Sequence, residues 1–413
     1  MIKGTSKLIK KINIYNIVNI LKNKPDISRA DIAKITKLTP ASITKITKQL
    51  INKGILIETG SGENSLGRPS ILLNINKDAG YFIGFYLAPR KIISIFTNYI
   101  GETVSTLETK ILDLSHDNIL DIIDIHIESF RRINPNILGV GIALNGMVNS
   151  SKGISIFSPH YGWKNYNIKS YLESKYAYTV FIENDVRLMA LGELEHGAAI
   201  GENNFVLINI GDGIGAGIII DKKVYNGNNF CAGEIGHIKV SNSNTRLCSC
   251  GKYDCLETFL SNENVIKISK EKYSLHINSI KELSVEYLNK NPLAEDIVED
   301  ISEKLAFTLS PIINLLNPHT ILINGEINNF GKGFYAKLSK KLIENSLESS
   351  LSKLKIKPTK LGDLSAAQGA ISMVFNKLKN KTITKTNEVE LSCSEKKTIK
   401  RLSKSLLSAT MKF

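Results

Sequence analysis

The sequence predicts an α/β protein preceded by a small basic domain. From residue 77 onward, short β-rich runs alternate with helical stretches, a pattern that indicates mixed sheets with crossover helices. Residues 1–76 instead combine helical periodicity with two short strands. The charge follows the same division, because residues 1–76 carry 13 Lys or Arg against 4 Asp or Glu, whereas residues 77–376 carry 30 against 32.

The length and composition indicate a folded protein of the cytoplasm. A chain of 413 residues with 42% hydrophobic residues can bury real cores, which excludes disorder throughout the chain. Met1–Lys11 is polar and basic, and no stretch approaches the roughly 18 consecutive apolar residues of a membrane span. We therefore expect neither a signal peptide nor contact with a membrane.

Three helices are expected in the basic domain. Helical spacing of apolar residues predicts the first helix over residues 7–23. Ser28 and Asp31 form a capping box for a short second helix. Pro40 is a favourable first residue for a third helix, predicted over residues 40–53.

The third helix has the surface that a major-groove reader needs, since one face is apolar and the other is small, polar and cationic. Strands predicted at 55–59 and 70–75 flank a glycine-rich tip at 60–69. Helix, helix-turn-helix and hairpin in this order predict a winged helix that binds DNA. The expected DNA contacts are Ser42, Thr44, Lys45, Lys48 and, at the wing tip, Arg68. The alternative is a solvated basic bundle that binds nothing.

The central region reads as strands and helices in alternation. Strands are predicted over 81–87, 91–98, 137–144, 179–183, 205–211, 217–220 and 223–225, and helices over 118–132, 166–175 and 185–197. Within it, Gly211–Gly217 has glycine at alternate positions, which lets a backbone approach a ligand or form an anion-binding nest. A glycine-rich turn without a ligand remains the alternative.

A second signal is Glu183-Asn184-Asp185, at the end of a predicted strand and the start of a helix. Carboxylate and amide groups at this position suit hydrogen bonding to vicinal hydroxyls. A simple helix N-cap by Asn184 or Asp185 is an equally good interpretation.

The strongest signal is a set of metal-ligating side chains. Cys248, Cys250 and Cys255 fall within eight residues, and with His237 they supply the Cys₃His donor set of a closed structural zinc site. In a chain without an export signal, such cysteines favour metal over disulfide. The alternative is four unrelated reduced residues.

Folding the loop around zinc would also gather carboxylates, because Glu234 precedes His237 by three residues and Glu257 follows Cys255 by two. Together with Asn184 and Asp185, these side chains would form the acceptor-rich pocket that a polyol needs.

The central region resembles the ROK family of repressors and sugar kinases. The matching segments are Gly139–Gly146 (GVGIALNG), Ser158–Trp163 (SPHYGW), Glu183–Glu193 (ENDVRLMALGE), Gly211–Gly217, Ala232–His237 (AGEIGH), Cys248–Glu257 (CSCGKYDCLE), Ile321–Ile327 (ILINGEI) and Leu364–Ala370 (LSAAQGA). The resemblance implies an actin-like, ribonuclease-H-like sugar-kinase fold of two lobes, residues 77–196 and 197–376, with the zinc loop in the second lobe and the C-terminal helix returning to the first. A basic tail, 377–413, follows.

The resemblance also implies roles for individual residues. The expected sugar contacts are Gly146, Asn184, Asp185, Glu234, His237 and Glu257. In kinase members the residue matching Asp185 is the general base, and His237 would bind zinc with one ring nitrogen and sugar with the other.

Departures from the family pattern argue against an enzyme. Family kinases carry an aspartate and glycines in the first phosphate loop, and here Tyr86 and Ala88 occupy those positions. Asp212 stands where a threonine is usual in the second phosphate turn. Asp254 replaces a glycine inside the cysteine motif, and Arg187 replaces an asparagine. Catalytic residues are therefore not expected, and Asp185 would be a vestigial base.

A winged helix joined to such a region resembles the family's repressors of sugar utilisation. We expect a homodimer, or a higher homo-oligomer, that releases operator DNA when a sugar binds, with xylose as the first candidate by analogy. The alternatives are a ROK-type ATP-dependent sugar kinase, a bifunctional kinase-repressor, or a DNA-binding protein with a vestigial pocket. The tail, with ten Lys or Arg against three Asp or Glu, is interpreted as solvated rather than as a second DNA contact.

Overall fold

The structure is a computed structural model that describes residues 6–61 and 70–384. The expected DNA contact Arg68 and the tail beyond residue 384 lie outside the described residues. The chain forms two compact units. The first comprises the described residues up to 82, residues 97–104 and those from 375 onward, and the second comprises residues 83–96 and 105–374.

The first unit contains the three predicted helices and the predicted hairpin. Its elements are α1 (Ser6–Asn23), β1 (Ile27–Ser28), α2 (Arg29–Thr36), α3 (Pro40–Asn52), β2 (Leu56–Ser61) and β3 (Ile71–Ile75). The predicted order of helix, helix-turn-helix and hairpin is confirmed. Strand β1 was not predicted; it pairs antiparallel with β3, so the sheet has the order β1-β3-β2.

The side chains predicted to begin the helices of this unit do so. The Asp31 N–H donates to Ser28 Oγ (3.1 Å), and Ser28 Oγ donates to Asp31 Oδ2 (2.7 Å). The Ser42 N–H donates to Thr39 Oγ1 (3.3 Å), with Pro40 as the first helical residue. Each such cap contributes about 1 kcal/mol. The core beneath the helices is formed by Ile17, Leu21, Ile32, Ile43, Ile46, Leu50, Leu56, Leu73 and Ile75.

The chain from residue 81 to 196 builds one large sheet, one small sheet and three helices. Its elements are β4 (Tyr81–Ala88), β5 (Lys91–Asn98), β6 (Thr103–Lys110), α4 (His116–Ile133), β7 (Ile137–Leu144), β8 (Met147–Asn149), β9 (Ile154–Ser158), β10 (Trp163–Tyr166), α5 (Ile168–Tyr176), β11 (Thr179–Asn184) and α6 (Asp185–His196). The predicted strands and helices of this region are confirmed to within two or three residues, whereas β6 and the small sheet β10-β9-β8 were not predicted.

The chain from residue 205 onward builds the second large sheet and most of the helices. Its elements are β12 (Phe205–Ile210), β13 (Ile214–Ile220), β14 (Lys223–Val224), α7 (Glu257–Leu260), α8 (Asn262–Tyr273), α9 (Ile280–Leu288), α10 (Pro292–Leu316), β15 (Thr320–Asn324), α11 (Gly331–Asn345), α12 (Glu348–Leu351), β16 (Lys355–Pro358) and α13 (Ser365–Thr384). Strand β13 begins at Ile214, three residues before the prediction, because Ile214 pairs with Ile210 across a turn formed by Gly211–Gly213.

The two large sheets have the same strand order. The first runs β6-β5-β4-β7-β11 and the second β14-β13-β12-β15-β16, so in each the first strand along the chain is central and the next two lie to one side. Strands β7 and β11 pair in parallel, as do β12 with β15 and β15 with β16. This duplicated order is the two-lobed fold that the resemblance implied.

Glycines bring helices close to both sheets. A Cβ on Gly217 of β13 would lie 2.5 Å from the Val186 carbonyl oxygen of α6, so glycine is needed at this contact. A Cβ on Gly141 of β7 would clash with the Ala370 carbonyl of α13, which therefore packs on the first sheet. None of the described helices combines the length with the apolar composition that a bilayer-crossing segment requires.

Candidate functional site

Helix α3 exposes the predicted DNA-reading face. Its apolar residues Ile43, Ile46 and Leu50 are buried, which leaves Thr44, Lys45 and Lys48 exposed on the opposite side. Ser42 is half-buried, and its hydroxyl accepts a hydrogen bond from Thr39 Oγ1 (2.9 Å) as part of the helix cap. Three of the predicted contacts therefore lie on exposed surface. Ser42 also has a structural role, because it is part of the N-terminal cap of α3.

Sequence reasoning missed a polar contact that fixes this helix. Arg29 Nε donates to Thr47 Oγ1 of α3 (3.1 Å), and an Arg29 terminal nitrogen donates to Glu58 Oε1 of β2 (2.7 Å). One side chain on α2 therefore orients both the reading helix and the hairpin. A single arginine in a basic domain carries no signal by which this role could have been found.

The second unit contains a cavity of about 1500 Å³. All six residues implied as sugar contacts line it, namely Gly146, Asn184, Asp185, Glu234, His237 and Glu257. Tyr86 and Ala88 of the β4–β5 hairpin and Asp212 of the β12–β13 turn line it too. The structure thus brings together side chains that lie as far apart as residues 86 and 257 in the chain.

Asn184 and Asp185 lie where β11 ends and α6 begins. Asn184 Oδ1 accepts from the Arg187 N–H (3.1 Å), so Asn184 is the N-cap, and its Nδ2 donates to the Gly146 carbonyl (3.0 Å). Asp185 Oδ1 accepts from the Val186 N–H (2.9 Å). Burial raises the pKa of Asp185 to about 6, against a usual 3.8, so this carboxyl group can take up a proton near neutral pH.

The other two carboxylates approach from the second sheet. Burial raises the pKa of Glu234, and the nearby charges of His237 and Arg187 oppose that rise. Glu257 Oε2 accepts from the Ile214 N–H at the start of β13 (3.3 Å). The cavity therefore offers several carboxylates, which can accept hydrogen bonds from the hydroxyl groups of a ligand.

Arg187, which replaces the asparagine of the family pattern, is not among the residues that line the cavity. Its side chain is 1% exposed and its guanidinium pairs with Glu183 (2.9 Å). It also donates to the carbonyls of Phe230 and Ala232 in the segment that leads to Glu234. Arg187 thus positions the segment that carries a cavity carboxylate.

The metal-ligating residues predicted from the cysteine motif meet in one cluster. The donor atoms of His237, Cys248, Cys250 and Cys255 all lie within 4.8 Å of one another. His237 Nδ1 is 3.5 Å from Cys248 Sγ, and Cys250 Sγ is 3.7 Å from Cys255 Sγ. Tetrahedral zinc with its usual bond lengths requires about 3.8 Å between two sulfurs and about 3.6 Å between sulfur and nitrogen. The donor set and these two distances therefore fit zinc.

Asp254 supports the cysteine loop rather than disturbing it. Its φ of +60° is in the left-handed region, which explains why a glycine suits the same place in relatives. Its buried carboxylate accepts from the N–H groups of Asn244 (2.6 Å), Thr245 (3.2 Å) and Arg246 (3.1 Å). The carboxylate thereby holds the backbone of residues 244–246, which precede Cys248.

Two further cavity residues were missed. Asn145 lines the cavity, hydrogen-bonds Asp185 through its side chain, and has a buried Oδ1 without a partner. His160 also lines it, and burial lowers the pKa of His160. Both lie inside segments quoted for the resemblance, GVGIALNG and SPHYGW, so their position next to the motif was the available signal.

Two matching sheets around an acceptor-rich cavity, joined to a winged helix, define a sugar-kinase-like protein with a DNA-binding domain. The sequence matches the ROK family over residues 95–377 and the winged helix-turn-helix DNA-binding family over residues 11–57. The chain belongs to the ROK family.

Relatives of known name support the same architecture. The xylose repressor of Caldicellulosiruptor bescii is 29% identical over 391 residues, covering 90% of this chain and 98% of the relative. A crystal structure of a ROK family transcriptional regulator, a homologue of the Escherichia coli MLC protein, has a TM-score of 0.79 at 30% identity and covers 91% of this chain and 98% of that chain. A ROK family glucokinase from Streptomyces griseus, solved with glucose and AMPPNP, has a TM-score of 0.63 at 22% identity and covers 71% of this chain and 99% of that chain, which shows a common fold alone.

Proposed function

We propose that this protein is a sugar-responsive transcriptional repressor of a carbohydrate-utilisation operon. The observation that carries the proposal is the presence, in one chain, of a winged helix with an exposed cationic face and a cavity lined by the family's sugar-binding motif. The names of the full-length relatives support the same function.

In this proposal the cavity binds one sugar. Asn184, Asp185, Glu234 and Glu257 accept hydrogen bonds from its hydroxyl groups, and Gly146 forms part of the cavity wall beside them. Zinc held by His237, Cys248, Cys250 and Cys255 supplies structure, because it fixes the loop between Glu234 and Glu257.

Repression follows from the winged helix acting in pairs. A homodimer places two α3 helices on the half-sites of a palindromic operator, with Ser42, Thr44, Lys45 and Lys48 facing DNA. A sugar that prefers the low-affinity conformation releases the operator, and a 100-fold release requires about 2.7 kcal/mol of coupling. Xylose is the first candidate because a relative at 29% identity is named a xylose repressor.

The proposal includes the absence of sugar-kinase activity. Tyr86 and Ala88 occupy the hairpin where kinases of the family place a metal-binding aspartate and a glycine, and Asp212 adds a negative charge to the second turn. A kinase remains the second candidate, because Asp185 keeps the position and raised pKa of a general base. ATP turnover with a sugar, absent in Asp185→Asn, would establish that alternative.

The function is tested by fluorescence anisotropy with a labelled fragment of the protein's own upstream DNA. We expect nanomolar binding that weakens by about 100-fold when an inducing sugar is added. D-xylose, D-glucose and N-acetyl-D-glucosamine are the first probes. Binding that no sugar alters would favour the alternative of a vestigial pocket.

The reading face is tested by Lys45→Ala and Lys48→Ala. Each should weaken operator affinity about tenfold, and a lysine on phosphate should also reduce the salt slope by about one. Lys223→Ala, which removes an exposed positive charge from β14, is the matched control and should leave affinity unchanged. Equal affinities of all these variants would contradict the docking of α3.

A further inference from the structure

The first two turns of α3 lack the side chains that read purine bases most specifically. Arginine forms two hydrogen bonds to guanine, and asparagine or glutamine forms two to adenine. Residues 40–47 contain none of these three types, and the amide side chains of α3, Gln49 and Asn52, lie in its last turn. The N-terminal residues of a recognition helix are the ones that reach base edges. Sequence reading by this helix therefore depends on other groups.

The hydroxyl group of Thr44 is bound within its own helix. Thr44 Oγ1 donates to the Pro40 carbonyl (2.9 Å), one turn earlier, although the residue is exposed. Ser42, the other hydroxyl residue among the predicted contacts, is half-buried and accepts from Thr39 Oγ1 (2.9 Å) in the helix cap. Donation from Thr44 to a base would break its bond to the helix, so its Cγ2 methyl is the group left to contact a ligand.

Thr44 has an apolar neighbour on the same face of α3. Ala41 lies three residues earlier, a spacing that places two side chains next to each other on a helix, and it is exposed as well. The two methyl groups form a small apolar surface beside Lys45 and Lys48. In the major groove, the 5-methyl group of thymine is the apolar group that a base presents. The chemistry of this surface therefore matches thymine.

We propose that α3 recognises thymine by its 5-methyl group, with Thr44 as the contacting residue and Ala41 beside it. The inference rests on the proposed function, because it names the base that the same winged helix selects in its operator. It separates two tasks on one face. Lys45 and Lys48 provide affinity that falls with salt, whereas methyl contacts provide a sequence preference that salt does not screen.

The test replaces the thymines of the bound DNA, one at a time, by deoxyuridine, which removes the 5-methyl group and keeps the base pair. The probe is the labelled upstream fragment, shortened to the stretch that the full chain protects from nuclease cleavage. We expect at least one replacement in each half-site to weaken binding about fourfold, the effect of one buried methyl group, without a change in the salt slope. Deoxyuridine outside the half-sites is the matched control and should leave affinity unchanged.

Two outcomes of this scan separate the inference from the proposed function. If the fragment binds and no replacement weakens binding, the inference is overturned and the proposed repressor stands. If the chain binds no upstream DNA at all, the proposed function fails and the inference fails with it.

Two variants of Thr44 test the assigned residue. Thr44→Ser keeps the hydroxyl group that bonds Pro40 and removes the methyl, so it should bind about fourfold more weakly and lose its response to deoxyuridine at the contacted position. Thr44→Val keeps a methyl and removes the hydroxyl, so it should retain that response. Thr106→Ser, which removes an exposed methyl from β6, is the matched control and should leave affinity unchanged.

The opposite order of the two Thr44 variants would overturn the inference. If Thr44→Val lost affinity while Thr44→Ser bound as the wild type does, the hydroxyl group would be the reading group. Circular dichroism of all three variants establishes that each is folded. Wild-type affinity in both Thr44 variants would likewise remove Thr44 from base recognition.

Discussion

The two large sheets share one strand order but differ at the corresponding turns. In the first sheet the β4–β5 hairpin turns through Pro89 and Arg90, with Tyr86 and Ala88 beside it. In the second sheet the β12–β13 hairpin turns through Gly211–Gly213, where the backbone is open to the cavity. Strand order is set by packing, whereas turn composition sets what the cavity can bind, so one fold serves both kinases and regulators.

The two halves also differ in the segments that are attached to their sheets. Between β14 and α7 the chain has a loop with few apolar residues that carries the Cys₃His cluster, whereas the corresponding part of the first half carries the small three-stranded sheet β10-β9-β8. The difference teaches that the two halves of one duplicated fold are not equivalent, because only the second carries a set of side chains that could hold a metal ion and so add metal binding to apolar packing.

The largest expected effect is the removal of a zinc ligand. Cys250→Ser should reduce bound zinc from about one per chain to near zero, because three donors bind far less tightly than four. Metal analysis and hydrogen exchange would then show loss of protection in residues 238–256 and retention of protection in the first sheet. Cys231→Ser is the control, since its thiol is exposed outside the cluster. If hydrogen-exchange protection were lost around both sheets, the metal cluster would not distinguish the second half from the first.

The glycine motif provides the second test. Gly217→Ala should lower the free energy of unfolding by about 1–3 kcal/mol, because the added Cβ meets the Val186 carbonyl at 2.5 Å and the Ala190 methyl at 2.6 Å. Gly211→Ala should change it by less than about 0.5 kcal/mol, because its nearest neighbour would lie at 3.8 Å. If urea denaturation gave the same loss in the free energy of unfolding for both variants, the glycines at the two ends of the motif would have the same structural role.

A buried histidine in the first half, His126, makes the free energy of unfolding depend on pH. Ser94 Oγ lies 2.7 Å from Nδ1 of His126 and Thr109 Oγ1 lies 2.8 Å from Nε2, and burial lowers the pKa of His126 from 6.5 to about 4. Between pH 6.5 and pH 4 His126 is protonated in the unfolded chain and neutral in the folded protein. Protonation therefore favours the unfolded chain, so the free energy of unfolding is unaffected by His126 above pH 6.5 and decreases as the pH falls towards 4.

The expected size of the effect is about 2 kcal/mol between pH 7 and pH 5. The raised pKa of Asp185 acts in the opposite direction over the same range, so the measurement is the difference between wild type and His126→Gln. The wild type should lose about 2 kcal/mol more than the variant over this range. Parallel pH profiles of the two proteins would contradict the assignment.

The smallest expected effect concerns the ion pair between the two turns. Arg90→Ala should change the free energy of unfolding by less than about 0.5 kcal/mol, because the arginine side chain is 76% exposed and salt screens the pair. A loss above about 1 kcal/mol in urea denaturation would show that the turns stabilise one another.

Much of the fold could be predicted because its signals are local. Apolar periodicity, the Ser28–Asp31 capping box and Pro40 determine the helices of the first unit, and continuous apolar runs mark buried strands such as β7 and β12. Strand β6 was missed because its side chains alternate between exposed and half-buried, with polar residues at most positions. The two-residue β1 is too short to leave a pattern.

The parts of the candidate site that belong to sequence motifs could be predicted. Donor types and spacing predicted the metal cluster, and the motif match predicted the cavity residues. The buried Arg187–Glu183 pair, the unpartnered Asn145 Oδ1 and the support from Asp254 were not predictable, because each depends on which distant backbone groups the fold brings near. Such contacts leave no repeating pattern in the amino-acid sequence.

The crossing of α6 and α13 has a mechanical consequence. A Cβ on Gly369 would clash with the Leu188 carbonyl, and one on Gly192 would clash with the Ser365 carbonyl, so the two helices touch backbone to backbone. At these glycines the two backbones are in direct contact, so a side chain larger than hydrogen would force the helices apart. Because α6 begins at Asp185 in the cavity and α13 rests on the first sheet at Gly141, the crossing links the start of the cavity helix to the first sheet through backbone contacts alone.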